Sequence, residues 1–257
     1  MQKACVVALV LMKKFFYDLH IHSCLSPCAD NDMTVNNIAG MAKLNGLQIV
    51  ALTDHNSTKN CTAFYWACEK NDLVAIAGVE LTTAEDIHFI VLFETLEDAA
   101  RFDEALQEKR ILIKNRPDVA GEQLILDEND NIVGTEEHFL PNATTLSLEQ
   151  AYEFVKPFNA VIYPAHIDRT ANGIVAVLGA YPQNPDYLAA EFHDRSNIES
   201  YVREYSKLLG VKAFADSDAH YLWNISEAEN FIKLDCDDQN SDDIRKAFFD
   251  YLRRKDI

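Results

Sequence analysis

A mixed α/β fold built on a largely parallel sheet is predicted by three features of this sequence. Seven short segments are apolar on both sides of the chain instead of alternating, as in strands buried on two faces. Stretches with helical periodicity separate most of them. The third feature is composition. A chain of 257 residues that is 48% hydrophobic can bury a sizeable core, and 8 glycines with 7 prolines are too few for a linker-rich or many-turned all-β chain.

The elements follow in order. Residues 1–11 are read as peripheral, with Met12 as an alternative start and residues 1–14 as an N-terminal extension. Residues 15–22 read as a buried strand and 34–45 as a helix with Thr34 as N-cap, stopped by Gly46. LQIVALT at 47–53 is the second strand, 60–71 a helix, LVAIAGVE at 73–80 the third strand and HFIVLF at 88–93 the fourth. An amphipathic helix at 96–107 comes next, then a segment near 110–147 that breaks the rhythm. Its QLILDENDNIVGTEE predicts a hairpin turning at 127–131, read as an insertion or lid beside the site, with a plain surface decoration as the alternative. Strands at 160–165, 189–193 and 211–215 alternate with helices near 148–156, 172–180 and 197–209. Residues 241–254 close the chain as an amphipathic helix capped by Ser241. No repeat or linker divides the chain, so a single domain over 1–257 is expected.

Histidines and acids collect at strand ends. His20 and His22 stand two apart on one strand and so project to the same face. The second strand ends in Thr53-Asp54-His55, the third in Glu80, and the fifth at His166; the seventh runs into Asp216-Ser217-Asp218-Ala219-His220, while His88 opens the fourth. One such group signifies little, because a strand histidine is commonly a hydrogen-bonded core residue and an acid after a strand commonly caps the next helix. Several converging on one end of a barrel supply the N/O donors that bind Zn, Fe or Mn.

DLHIHS at 18–23, LTDHN at 52–56, GVE at 78–80, His88, PAH at 164–166 and DSDAH at 216–220 resemble, in order, the motifs of the PHP (polymerase and histidinol phosphatase) superfamily. The resemblance implies a distorted (β/α)7 TIM-like barrel and a metal-dependent phosphoesterase. Its substrate would be a nucleotide, a short oligonucleotide end or a small phosphometabolite, hydrolysed by metal-activated hydroxide. It also implies two or three divalent metal ions. The first would sit among His20, His22, Glu80 and Asp218; Glu80 would bridge to a second, held also by His88 and His166; a third would take His55 and His220. Relatives carry an acid or histidine soon after the second histidine, whereas this loop reads SCLSPCADNDM. Asp30 is the choice for the missing ligand, with Cys28 and Asp32 as alternatives; a Cys28 thiolate favours Zn, and an all-N/O set tolerates Mn or Fe. Arg169 resembles the family's arginine and would clamp a phosphate, or else form an exposed ion pair. His193 would protonate a leaving group or bind substrate, or else be packed or solvated, and Asp54 would orient a ligand from behind.

The 41 acidic against 23 basic side chains give a formal charge of −18, which opposes long-range attraction of phosphate backbones. A small phosphorylated substrate is therefore expected, without stable duplex nucleic-acid binding and without membrane association. Six cysteines with no C-x-x-C pair suit a cytoplasmic chain with reduced thiols. A metal-binding regulatory module without turnover, or a metal-dependent hydrolase of a non-phosphate bond, stands as the alternative function. Oligomeric state is not indicated.

Overall fold

The computed structural model describes residues 12–237 and 239–254. Its strands and helices, in order, are β1 (Lys13–Ile21), α1 (Val35–Leu44), β2 (Ile49–Leu52), α2 (Cys61–Glu69), β3 (Val74–Thr82), β4 (His88–Phe93), α3 (Leu96–Leu106) and α4 (Pro117–Ala120). There follow β5 (Leu124–Leu126), β6 (Ile132–Thr135), α5 (Leu148–Val155), β7 (Ala160–Pro164), α6 (Ile174–Leu178), β8 (Ala189–Phe192) and α7 (Ile198–Glu204). The chain ends with β9 (Lys212–Ala215), β10 (Phe231–Leu234) and α8 (Ser241–Arg253).

Six strands form one curled sheet in the order β10-β1-β2-β3-β4-β7, and β5–β6 and β8–β9 form separate pairs. β1, β2 and β3 are parallel, as expected, but β4 is antiparallel to both β3 and β7, and β10 is antiparallel to β1. The cause is the connection between β3 and β4, residues 83–87, which is far shorter than the roughly dozen residues a parallel crossover needs. Reversal has a functional consequence. It puts His88, the first residue of β4, at the end of the sheet where β1, β2 and β3 finish.

The strands carry two buried apolar sets on alternate residues, as the period of a strand requires. Val50, Leu52, Ala75, Ala77, Phe89 and Val91 pack with the helices α1, α2 and α3. Ile49, Ala51, Ile76, Ile90, Leu92 and Tyr163 pack with Phe214 and with Phe248, Phe249 and Leu252 of α8. Every residue of β3 is buried, which is why no alternation shows in its sequence.

Helix starts follow their capping chemistry. The Thr34 side chain accepts from Asn37 N–H, as expected. For α8 the cap is Asn240, one residue before the expected Ser241: its side chain accepts from Asp242 N–H at 2.9 Å and Asp243 N–H at 3.3 Å. Residues 1–11 lie outside the described residues, and the expected extension to residue 14 is too long, because Lys13 and Lys14 pair with Leu234 and Lys233. Asp127–Asn131 turns the β5–β6 hairpin, with Asp127 N–H bonded to Asn131 O at 3.0 Å. Among the described residues no helix is long and apolar enough to cross a membrane.

Candidate metal centre

Glu80 is the hub of the site. Its carboxylate is 1% exposed and five imidazoles surround it. Oε1 lies 2.7 Å from His88 Nδ1, 3.1 Å from His166 Nε2 and 3.5 Å from His20 Nε2; Oε2 lies 2.9 Å from His55 Nδ1 and 3.3 Å from His22 Nε2. Asp218 Oδ1 is 3.3 Å from both His20 Nε2 and His22 Nε2, and its Oδ2 is ion-paired with Arg169. Burial opposes the charge on Glu80, yet His88, His20 and His55 hold its pKa well below the ordinary carboxylate range.

Among the described residues three donor groups result, each with its ligand atoms within 4.8 Å of one another: His20, His22, Glu80 and Asp218; His55, Glu80 and His88; and His22, His55 and His220. His166 adds its Nε2 from the side of Glu80 Oε1. The backbone is bent to achieve this, with left-handed φ values of 29° at His166 and 51° at Asp218. Such conformations cost L-residues about 1–3 kcal/mol each and cluster at functional sites.

Hydrogen bonding within the protein alone does not satisfy this cluster. His20 Nε2 and His22 Nε2 face each other at 3.1 Å, and among the described residues the buried His166 Nδ1 has no hydrogen-bond partner. Burial lowers the His55 pKa to about 4; burial and the neighbouring His22 lower that of His220 to about 3, so both imidazoles are neutral near pH 7. Neutral imidazoles and carboxylates aimed at shared points are the donor chemistry of divalent cations.

Other sequence-derived candidates lie differently. Asp30 Oδ1 accepts Asp32 N–H at 2.8 Å, so the carboxylate folds back on its own turn, and neither acid joins a donor group. Cys28 instead lines the cavity above the cluster with an exposed side chain. Arg169 lines the same cavity with 41% of its side chain exposed. His193 does not. β8 ends at Phe192, and the exposed His193 follows in a turn where its N–H donates to Asp168 Oδ1 at 2.7 Å.

Glu191 is the residue that sequence reading missed. Fully buried on β8, it sets both carboxylate oxygens against His20 Nδ1, at 3.0 and 2.9 Å. The available signal was an acid inside the apolar run AAEFH, since a buried carboxylate requires a partner. His22 Nδ1 is held in turn by Ser26 Oγ at 3.0 Å, which donates to Asp54 Oδ1 at 2.7 Å; Asp54 thus stands behind His22. Residues that fix a ligand imidazole in this way are worth about 10–100-fold in metal affinity. Glu191→Gln is expected to weaken binding of Zn or Mn by that factor, as titration against a competing chelator would measure; unchanged affinity would show that Glu191 does not tune His20.

The fold is similar to that of the lesion-specific endonuclease Q from Pyrococcus furiosus, with TM-score 0.64 and 20% identity over 93% of this chain and 56% of that one. An endonuclease Q complex with a 27-mer duplex bearing an abasic lesion at the active site matches with TM-score 0.61 and 18% identity, over 91% and 56%. This chain therefore spans just over half the length of those endonucleases. A candidate metal-dependent phosphoesterase from Bifidobacterium adolescentis matches with TM-score 0.57 and 16% identity, over 90% and 95%. No curated protein matches the sequence. The duplex complex corrects the expectation that duplex nucleic acid is excluded: a protein sharing this fold holds a duplex at its active site. Total charge was a poor guide because it does not locate the charge, and bound cations add to it locally. Residues 18–233 match the family described as the PHP domain, and the chain belongs to that family.

Proposed function

We propose that this chain is a metal-dependent hydrolase of phosphate esters, acting on a nucleotide, a nucleic-acid phosphate or another phosphometabolite. The observation that carries this is the Glu80 carboxylate, shared between two donor groups in a cavity that Arg169 also lines. Two or three divalent cations would be held by His20, His22, His55, Glu80, His88, His166, Asp218 and His220. When bound, they would activate water and neutralise phosphoryl charge. The all-N/O set of those groups suits Zn, Mn or Fe.

The protein's own part is orientation. Glu191 fixes His20, and Asp54 acting through Ser26 fixes His22. Arg169, engaged to Asp218 at one nitrogen, keeps the rest of its guanidinium for a phosphoryl oxygen. The same reading makes the barrel seven-stranded, with β8–β9 closing it. Its support is the Ile167 N–H to Glu191 O bond at 2.8 Å beside β7 and the single Ile21–Ala219 bridge beside β1.

The test is hydrolysis of aryl phosphate mono- and diesters by metal-loaded protein. A charge-assisted hydrogen bond contributes about 1.5–3 kcal/mol, so Arg169→Ala is expected to raise KM about 10–100-fold at unchanged metal content. Unchanged kinetics would remove Arg169 from the site.

A further inference from the structure

The metal cavity does not end at the metal ligands. It has a volume of about 540 Å³ and shares Cys28, His55, His88 and Asn172 with a second cavity of about 330 Å³. Beyond those four residues the chemistry changes. Pro27, Ala120, Phe139 and Pro141 form the far wall, and Asp86 stands at its rim. Among the described residues, Arg169 lines the first cavity but not the second, and no lysine or arginine lines the second. An acid at the rim disfavours a second anionic group there, so a flat apolar group fits this space better than a further phosphate.

The wall is built, not incidental. Asn56, next to His55, donates from Nδ2 to Leu140 O at 2.8 Å and Asn142 O at 3.0 Å, so it fixes the strip bearing Phe139 and Pro141. Buried Gln123 holds the same strip from the other side, accepting Leu140 N–H at 2.8 Å and donating to His138 O at 2.9 Å. Gly121 presses against Pro27 so closely that an added Cβ would meet Pro27 O at 2.1 Å. Those contacts tie the residue 107–147 segment, the loop after β1 and the ligand His55 into one rigid edge.

From this continuity we infer that Phe139, with Pro27, Ala120 and Pro141, forms a specificity subsite for a flat, apolar ring carried next to the phosphorus of the substrate. The inference rests on the phosphoester reading above. Phe139 is a positioning residue for that ring and takes no part in metal binding.

Calorimetric titration of the metal-loaded protein with phenylphosphonate and with methylphosphonate separates the two ideas without turnover. The wild type is expected to prefer phenylphosphonate by about tenfold or more. Phe139→Ala should lose that preference, and Phe139→Tyr, which keeps the ring face, should restore it. Equal binding of both probes by the wild type, or an undiminished preference in Phe139→Ala, would overturn the subsite and leave the phosphoryl site standing. Binding of neither probe would overturn the phosphoester reading and the subsite with it. The Phe139→Tyr protein keeps the test valid if Phe139→Ala unfolds, because the wild-type preference and its retention in Phe139→Tyr are still measured.

Discussion

Glu80→Gln is expected to lose at least one equivalent of bound metal and to bring phosphate-ester turnover below detection. One carboxylate serves two donor groups, so its replacement by a neutral amide weakens both. The metal-free protein should suffer as well. Burial disfavours charge on His22, but hydrogen bonds to Asp218 and Glu80 outweigh it and raise the pKa to about 9. His20 is raised well above its ordinary value against the same burial by Glu191, Asp218 and Glu80. Removing Glu80 leaves buried imidazolium charge undercompensated, a change that typically costs about 3–5 kcal/mol.

The sign with pH follows from the same shifts. Because the folded pKa of His22 is raised, its contribution to stability is complete below the unfolded value and declines as pH rises through about 9. The chelator-treated wild type should therefore lose melting temperature between about pH 6.5 and 9, and in Glu80→Gln that slope should flatten. Full metal content and turnover in Glu80→Gln would show that the donor groups are not ligands.

Asn56→Ala should be the largest purely structural loss. Asn56 is fully buried, sits at φ 46°, gives Nδ2 to Leu140 O and Asn142 O, and accepts Thr82 N–H at 3.0 Å. Alanine in the left-handed region costs about 1–2 kcal/mol, and an orphaned buried N–H a further 1–3 kcal/mol. A loss of about 3 kcal/mol corresponds to a melting temperature roughly 6–12 °C lower in a chain of this size. Asn56→Gly relieves the strain without restoring the hydrogen bonds, so it should recover about 1 kcal/mol. A change within about 0.5 kcal/mol for Asn56→Ala would mean that the loop after β2 does not hold the Phe139 strip.

Much of this was legible because burial writes itself into sequence. The segment 88–93 coincides with β4, and the strand ends bearing His20, His22, His55, Glu80, His166 and Asp218 gather around the Glu80 carboxylate. Direction was not legible, because a strand apolar on both faces reads alike in either sense; only the short connection at 83–87 carried the reversal of β4. β10 went unseen since Phe231–Leu234 is brief and alternates exposed with buried residues, making it look like surface chain. Asp30 and Cys28 lie two residues apart in one turn, and a carboxylate there has a local N–H to bind, which spacing does not reveal. Glu191 showed its oddity as an acid in an apolar strand, but its partner His20 lies 171 residues away. Capping was ambiguous for a similar reason, since Asn240 and Ser241 are both good caps and only the backbone decides.

The most direct test of the central claim is elemental analysis of the purified protein, paired with hydrolysis of an aryl phosphate before and after chelation. Two or three equivalents of a divalent metal are expected, with phosphate release that is lost on chelation and recovered on adding Mn or Zn. A protein that retains no metal under any loading condition would contradict the account.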